Sequence, residues 1–519
     1  MIAGLTRNLL RKNNLLIIIL IAGTLMRVQY LTQPFVDVFS WRQGSTAMMA
    51  ENFFKTDWNI FYPQVNWTGA TASYQGREFQ TVSYLAALAY QVFGQHDVIG
   101  RIIPIVFGLW GIFALYLLIL LVWDKKHALA GAAMMAIIPG SAFIDRSFLP
   151  DPAMVSLTTT AMWLFILYLK TDKTKHLIWA GAIGCLGILS KLPGLIIAIP
   201  MIYAFIAVNK KRGTLDFKHI RPVLLTAVLV LIPIITYYLW ARHLSLSYPP
   251  YHFAGSGNWI WDNWGEMFRK HFLLVNLKNV FEYWILGFPA IMLFIMGLIL
   301  SPPETTDHPS SGMKWFFHYL LLGCMFYYFI GAAELIKNPW NFHLFLPVIS
   351  VFCGRVLVVL YSYTLASKYA KFSRVGILVI FMTAYNVALM RTQLFINKWA
   401  LNSYKLGKEL SAIKNPGDLV ITIAQDMGDP IAIYYSGANG WVFPPADQWA
   451  PKQLPKDDSV SVNSLKELQK EGADWFGIVD KHYKDIQLNH PTLAGYIASQ
   501  MSIVKKTDNY VILKWQQAL

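Results

Sequence analysis

Residues 14–31 read Asn-Leu-Leu-Ile-Ile-Ile-Leu-Ile-Ala-Gly-Thr-Leu-Met-Arg-Val-Gln-Tyr-Leu and form the first long apolar run of the chain. After five further residues comes the stretch Asp37-Val38-Phe39-Ser40-Trp41-Arg42-Gln43. A membrane-spanning helix needs about 20 apolar residues, so the run predicts a first span and leaves Asp37 just beyond the membrane boundary. A carboxylate and an arginine at that boundary indicate chemistry at the membrane surface, on a lipid that carries phosphate.

The composition of the whole chain is that of a polytopic membrane protein. Hydrophobic residues make up 55% and charged residues 14% of the 519 residues, whereas soluble domains carry about 25% charged residues. The net charge of +15 is expected from cytoplasmic Lys and Arg near anionic lipid, and we expect no nucleic acid partner. The cysteines lie in apolar runs, which argues against a disulfide framework and a metal site: Cys185, Cys324 and Cys353.

About eleven apolar segments are candidate spans: 14–32, 98–123, 127–143, 152–170, 176–190, 193–208, 222–240, 283–300, 315–333, 343–363 and 374–394. The first is long and has no clear cleavage site, so we expect it to remain uncleaved. The N-terminus and four short loops are rich in Lys, Arg or His: 124–127, 170–176, 209–221 and 367–374. The positive-inside rule places this set in the cytoplasm, so the C-terminal segment is expected outside.

Two outer loops are long. Residues 33–97 are rich in aromatic and polar side chains, and we expect short helices that lie along the membrane interface. One helix is predicted from Trp41 to Phe54, with Ser40 and Gln43 forming a capping box at its start. Residues 241–282 contain Tyr-Pro-Pro-Tyr and Trp-Ile-Trp-Asp-Asn-Trp. That composition is typical of a mobile lid or of an aromatic anchor at the interface.

After Trp399 the composition becomes that of a soluble domain. A buried strand is predicted at 418–424, a helix at 464–472, a second strand at 475–479 and a hairpin from 503–506 and 510–514. We therefore expect a transmembrane domain in residues 1–395 and a small α/β domain in residues 396–519.

Asp37 is the first candidate for catalysis. A carboxylate before a helix often only caps it, but in a functional role it is a general base that takes the proton of an acceptor hydroxyl. Lys191 lies in a tight outer turn between two short spans, where a lysine can simply snorkel to the interface. Because positive charge is disfavoured on the outer face, we expect Lys191 to bind a donor phosphate. Three arginines are further candidates for that contact: Arg42, Arg101 and Arg146.

The short outer loop 145–151 carries two carboxylates close to the membrane surface. Asp151 precedes Pro152 and fits a helix N-cap, and it is also a candidate ligand for a divalent cation. For His343, at the start of a span, an interfacial position is the alternative to a substrate contact. The candidates for binding the acceptor or sugar are Glu78, Gln80, Tyr84, Asp145, Asn341 and His343.

The sequence lacks several catalytic motifs: a Gly-x-x-x-x-Gly-Lys-Ser/Thr loop, Gly-x-Gly-x-x-Gly, His-Glu-x-x-His and Gly-x-Ser-x-Gly. No cytoplasmic loop is large enough for a nucleotide-sugar domain. A transferase with this organisation would take its donor from the bilayer, as a sugar on a lipid phosphate carrier.

In their order along the chain, these positions resemble the membrane-embedded GT-C glycosyltransferases. The bacterial branch related to protein O-mannosyltransferases and to the lipid A aminoarabinose transferase is the most similar. The correspondence runs through Asp37 with Arg42, Glu78 before Tyr84-Leu85, the loop 145–151, the turn Leu189–Pro193 and the span start His343–Pro347. The chain departs from the family where many members have Asp-Glu, because Val38 follows Asp37. It departs again at Phe79-Gln80-Thr81, where many have His-Pro-Pro or Lys-Pro.

The resemblance implies a mainly α-helical GT-C fold and an inverting glycosyltransferase of the bacterial cytoplasmic (inner) membrane. It implies a polyprenyl-phosphate-linked sugar as donor, a lipid, glycan or protein as acceptor, and at most a divalent cation, Mg²⁺ or Mn²⁺, as cofactor. Two other classes stay open. One is a lipid-linked sugar flippase or transporter, and the other is an oligosaccharide ligase or polymerase with a polyprenyl-pyrophosphate donor. The sequence specifies neither the sugar nor the acceptor.

Overall fold

The computed structural model describes residues 14–37, 40–214, 217–251, 253, 287–303, 312–331, 335, 338–366, 368–394, 400–445 and 453–516. Most of the loop 241–282, the predicted lid, lies outside the described residues. The chain divides into two compact units. The first unit consists of Met1–Leu31, Arg101–Tyr238 and Asn258–Leu394. The second consists of Thr32–Gly100, Leu239–Gly257 and Phe395–Leu519.

The described chain is mainly helical. Its elements up to residue 394 are α1 (Asn14–Arg27), α2 (Ser40–Lys55), β1 (Thr68–Gly69), α3 (Thr81–Phe93), α4 (Asp97–Val122), α5 (Lys125–Ile137), α6 (Pro139–Ile144), α7 (Asp151–Thr171), α8 (Thr174–Ser190), α9 (Ala198–Arg212), α10 (Phe217–Ser247), α11 (Phe288–Ile299), α12 (Phe316–Ile330), α13 (Leu346–Ala366) and α14 (Ala370–Leu394). Two 3₁₀ helices, Leu192–Ile197 and Pro339–Phe345, precede α9 and α13.

Helices lie where the apolar segments are, because a backbone in hydrocarbon must satisfy its hydrogen bonds internally. By length and hydropathy, five helices of the described chain can cross a membrane: Asp97–Val122, Asp151–Thr171, Leu192–Arg212, Phe217–Ser247 and Trp340–Ser362. Five shorter helices are also apolar: Asn14–Arg27, Thr81–Phe93, Ala290–Ile299, Phe316–Ile330 and Val375–Ala388. The number of spans, expected to be about eleven, stays a prediction.

Helix α7 is the most buried of the five membrane-length helices of the described chain, since almost all of its residues are buried. It packs closely on α8, and a Cβ added at Gly187 would lie 3.0 Å from the Thr158 side chain. This packing brings the start of α7 near the end of α8, because the two helices are joined by a short turn and run antiparallel. The site residues Asp151 and Lys191 lie at these two helix ends.

The second unit contains a six-stranded sheet in the order β1-β3-β2-β4-β6-β5. Its elements after residue 394 are α15 (Ala400–Ile413), β2 (Leu419–Ile423), α16 (Ile431–Ser436), β3 (Gly440–Val442), α17 (Asp458–Lys470), β4 (Ala473–Val479), α18 (Asp480–Asn489), α19 (Pro491–Gln500), β5 (Met501–Lys506) and β6 (Tyr510–Trp515). The central strand β2 is parallel to β3 and β4, whereas β6 pairs antiparallel with both β4 and β5.

The predicted strands at 418–424 and 475–479 and the predicted hairpin are confirmed by β2, β4 and the pair β5–β6. The predicted helix 464–472 begins six residues earlier, because the Asp457 side chain accepts from Ser459 N at 2.9 Å and caps α17. The edge strand β1 comes from the loop 33–97 and pairs antiparallel with β3. This loop is therefore hydrogen-bonded into the sheet of the C-terminal segment.

Candidate active site

Asp37 lies three residues before the first residue of α2 and is fully buried. The Gln43 Nε2 atom donates a hydrogen bond to Asp37 Oδ1, and Ser40 N donates to Asp37 O at 3.1 Å. The helix predicted from Trp41 to Phe54 is confirmed, but the predicted capping box is wrong. Ser40 uses its hydroxyl on Asp429, at 2.8 Å, and Gln43 reaches the Asp37 carboxylate instead of the backbone. The result is a buried carboxylate with a fixed orientation.

Arg42 and Glu78, predicted to contact the donor phosphate and the acceptor, form an ion pair with each other. Gln80 Nε2 donates to Glu78 O at 2.5 Å, so Gln80 also stiffens the turn before α3. Tyr84 is half-buried and packs edge-on against Phe53, with ring centroids 5.5 Å apart. Each of these four residues has a packing or pairing role, and their contacts with a substrate stay predictions.

Arg77 was missed by the sequence analysis, although it lies next to Glu78. Its side chain is buried, its guanidinium lies 5.9 Å from the Trp41 ring centroid, and Nη1 donates to Gln75 Oε1 at 2.8 Å. Within the described chain, Arg77 Nε and Nη2 and Gln75 Nε2 have no hydrogen-bond partner. Buried donors without acceptors are costly. A guanidinium with unused donors is well suited to an oxyanion.

In the first unit, Asp145 is fully buried and contacts two basic side chains. Arg27 Nε and Nη2 donate to Asp145 Oδ2 at 2.9 and 2.7 Å, and His343 Nε2 lies 2.9 Å from Asp145 Oδ1. Ser141 Oγ donates to the same Oδ2 at 3.2 Å. Helix α4 comes close enough because residue 108 is glycine: a Cβ there would lie 2.3 Å from Asp145 Cγ.

This cluster gives Asp145 and His343 a structural role, and their predicted contact with the acceptor stays a prediction. The Asp145 carboxylate balances the charge of Arg27, the last residue of α1, inside the helical core. Arg27 also donates to the carbonyl oxygens of Gly23 and Ala136, each at 3.0 Å, and so ties α1 to α5. The sequence offered one signal for this role, a single arginine inside the apolar run 14–31.

Arg101 and Arg146, predicted to bind the donor phosphate, are both fully buried. Arg146 Nη2 donates to Tyr30 O at 3.1 Å, and Arg101 Nη1 donates to Arg146 O at 3.4 Å. Both arginines therefore hold backbone carbonyl groups in the first unit.

Lys191 has the most defined geometry among the predicted phosphate contacts. Its Nζ atom donates to Asp151 Oδ1 and to Asn341 Oδ1, both at 2.6 Å. Asp151 is the first residue of α7 and makes no side-chain cap, so the predicted N-cap role is wrong. An ammonium group has three N–H donors. Two of them are directed at Asp151 and Asn341, and the side chain is 13% exposed. The third has no partner among the described residues and is available to an anion.

The predicted cation ligand Asp151 is thus engaged by Lys191 through one carboxylate oxygen. Its other oxygen, Oδ2, is buried and has no hydrogen-bond partner among the residues that the structure describes. Within the same residues, no group of three His, Cys, Asp or Glu side chains is placed to hold a metal ion. A divalent cation at Asp151 stays a prediction.

Comparison with known proteins assigns the fold. Residues 81–240 match the family model of the dolichyl-phosphate-mannose-protein mannosyltransferases. The crystal structure of ArnT from Cupriavidus metallidurans bound to undecaprenyl phosphate is similar to this chain, with a TM-score of 0.62 and 12% identity over 96% of this chain and 98% of that chain. The chain has the GT-C fold. The predicted resemblance to GT-C membrane glycosyltransferases is confirmed.

Two more structures share this GT-C fold. The Archaeoglobus fulgidus oligosaccharyltransferase in complex with Zn and sulfate has a TM-score of 0.58 and 15% identity, over 94% of this chain and 71% of that chain. The arabinofuranosyltransferase AftD from Mycobacteria has a TM-score of 0.56 and 10% identity, over 97% of this chain and 41% of that chain. No curated protein matches the sequence significantly.

Proposed function

We propose that this protein is an inverting glycosyltransferase that moves one sugar from a polyprenyl-phosphate donor to an acceptor hydroxyl, on the outer face of a bacterial cytoplasmic membrane. The observation that carries the proposal is the oriented ammonium of Lys191, held by Asp151 and Asn341 in a chain with the GT-C fold. A directed cation with a spare donor suits a phosphate monoester or diester. The similar ArnT structure contains undecaprenyl phosphate.

The reaction would be a single displacement. Asp37 takes the proton of the acceptor hydroxyl, and the oxygen attacks the anomeric carbon while the bond from that carbon to the phosphate oxygen breaks. The lipid phosphate leaves with the electron pair, and the configuration of the anomeric carbon inverts. Gln43 would hold the Asp37 carboxylate in one orientation, which lowers the reorganisation needed during proton transfer.

Lys191 would stabilise the negative charge that develops on the departing phosphate. We assign the same role to Arg77, because its buried guanidinium has donors without acceptors within the described chain. Arg42, Arg101 and Arg146 would support the phosphate site through the groups that they hold. Acceptor and sugar contacts are proposed for these residues: Glu78, Gln80, Tyr84, Asp145, Asn341 and His343.

The proposal is tested with purified protein and undecaprenyl phosphate linked to radiolabelled mannose, with other sugars as a panel. We expect sugar release or transfer by the wild type and its loss in Asp37→Asn. The matched control is Asp57→Asn, since Asp57 is an exposed carboxylate of the same outer loop. Transfer at the wild-type rate by a folded Asp37→Asn variant would contradict the assignment of the base.

The two alternatives make different predictions for the same samples. A flippase or transporter would move the lipid-linked sugar across vesicle membranes and release no sugar. A ligase or polymerase would consume a polyprenyl-pyrophosphate-linked glycan and leave the monophosphate-linked sugar intact. Turnover of a monophosphate donor therefore separates the proposed function from both.

A further inference from the structure

Two groups of contacts hold the residues on either side of Asp37, and both come from the C-terminal segment. On the preceding side, Phe35 N donates to the hydroxyl oxygen of Tyr435 at 2.8 Å. The same hydroxyl donates to Asp97 Oδ2 at 2.7 Å. Since this hydroxyl both accepts and donates, Tyr435 is fixed at its tip as well as in α16.

On the following side, the first residue of α2 is held by a buried carboxylate. Ser40 Oγ donates to Asp429 Oδ2 at 2.8 Å, and the indole nitrogen of Trp41 donates to Gly428 O at 3.2 Å. Asp429 is itself held, because its Oδ1 accepts from Ile431 N at 2.9 Å. Each carboxylate oxygen of Asp429 therefore has a defined partner.

Asp37 lies two residues after Phe35 and three residues before Ser40. Gln43, whose amide donates to Asp37 Oδ1, lies in the first turn of α2, so the contacts that hold the start of α2 also act on the orientation of this carboxylate. The packing of α2 on α16 adds to this restraint, since a Cβ at Gly44 would lie 3.3 Å from Ile431 Cδ1. A shift of the C-terminal contacts would move the Asp37 carboxylate.

We propose that Gly428–Tyr435, here named the 428–435 clamp, positions Asp37 for proton abstraction, and that Asp429 is its principal positioning residue. The proposal rests on the proposed function, in which Asp37 is the base. It gives the C-terminal segment a task in the reaction, although its sheet carries no catalytic motif of its own.

The pairing of β1 with β3 supports the clamp from a second place. Gly69 and Gly440 are register partners, and Gly440 N donates to Asn66 O at 3.0 Å. Asn52, near the end of α2, donates through Nδ2 to Gln64 O at 2.9 Å. The loop 33–97 is thus tied to the C-terminal segment in two places. The 428–435 clamp holds it before α2 and at the start of α2, and the sheet holds it after the end of α2.

The experiment compares the full-length wild type with Asp429→Ala, Asp429→Asn, Ser40→Ala and the double variant Ser40→Ala with Asp429→Ala. Asp426→Ala is the matched control, because Asp426 is an exposed carboxylate three residues away. Four quantities are measured: kcat and KM with undecaprenyl-phosphate mannose, affinity for undecaprenyl phosphate, and amide hydrogen exchange of peptides that cover residues 34–43.

We expect Asp429→Ala to lower kcat by about 10- to 100-fold, since a displacement near 1 Å has that effect. KM and lipid affinity should stay within about twofold, and exchange in 34–43 should accelerate. Asp429→Asn should restore most of kcat, because its amide can accept from Ile431 N and donate to Ser40 Oγ. The double variant should be no slower than Asp429→Ala, and the control should stay within about twofold of the wild type.

Unchanged exchange of 34–43 in Asp429→Ala would overturn the 428–435 clamp, whatever the turnover. Faster exchange with unaltered kcat would overturn the positioning role. A merely structural role would lower the yield and thermal stability of the variant without separating kcat from KM. A wild type that turns over no polyprenyl-phosphate sugar would refute the proposed function, and the exchange measurement would still decide whether the clamp holds residues 34–43.

Discussion

Lys191→Met removes one cation and leaves its partner in place, so stability and phosphate affinity should both change. The Asp151 side chain is 1% exposed. Removing the partner of a buried charge costs about 3–5 kcal/mol, so we expect a clear fall in the thermal midpoint. The loss of one hydrogen bond to a charged group, worth about 1.5–3 kcal/mol, should weaken undecaprenyl phosphate binding by about 10- to 100-fold.

A second variant separates the two effects. Replacing both residues, Asp151→Leu with Lys191→Met, removes the buried carboxylate along with the ammonium. Replacing a buried ion pair by apolar residues of similar size is often neutral, so the thermal midpoint should largely recover. The affinity for undecaprenyl phosphate, measured by titration in detergent micelles, should stay as weak as in Lys191→Met. A folded double variant that binds the lipid like the wild type would refute the role of Lys191.

Three further predictions concern other parts of the molecule. Arg77→Met should weaken undecaprenyl phosphate binding by about 10-fold or more, and unaltered binding would contradict this. The thermal midpoint should stay level or rise, because an apolar side chain replaces a buried cation with unused donors. Gly108→Ala should lower the thermal midpoint, because its Cβ would lie 2.3 Å from Asp145 Cγ and overpacking costs about 1–3 kcal/mol; Gly376→Ala, with nothing within 4 Å of its Cβ, is the control. Burial raises the pKa of Asp429 to about 7, and the nearby Asp426 charge adds a smaller increase. Hydrogen bonds from Ser40 and Ile431 lower this pKa but do not offset burial. The folded protein then keeps this proton after the unfolded chain has lost it, so the stability from Asp429 is fully present below about pH 4 and is lost as the pH rises to about 7. The thermal midpoint of Asp429→Asn should therefore rise relative to that of the wild type as the pH increases to about 7, and the difference should stay constant at higher pH. An equal difference at all pH values would contradict the raised pKa.

The helices were predictable because the rule that forms them is local. A segment of about 20 apolar residues has few options in a bilayer, and the predicted segments are helical where the structure describes them. The helix ends were less predictable. Residues 192–197, for example, form a 3₁₀ turn before α9, with Pro193 near its start.

The edge strand β1 could not be predicted. It has two residues, which is too short for an alternating pattern, and its partner β3 lies near the other end of the chain. Likewise, Asp429 resembles an ordinary turn residue in Met-Gly-Asp-Pro, and only the fold places it against Ser40.

Among the site residues, the types were predictable and the partners were not. A lysine and a carboxylate in loops that are predicted to face outside indicated phosphate chemistry, and the structure joins Lys191 to Asp151. The pairs Arg42–Glu78 and Arg27–Asp145 each link residues far apart in sequence, so no local pattern could reveal them. Asp37 itself was predicted from its place after the first span. Its contact with Gln43 depends on the position of α2, which only the structure shows.

The most direct test of the central claim is the release of sugar from radiolabelled undecaprenyl-phosphate mannose, and from a panel of other sugars on the same lipid, by the purified protein. We expect turnover by the wild type and by Asp57→Asn, and none by Asp37→Asn, although all three bind undecaprenyl phosphate. A wild type that neither binds the lipid phosphate nor releases any sugar of the panel would refute the proposed function.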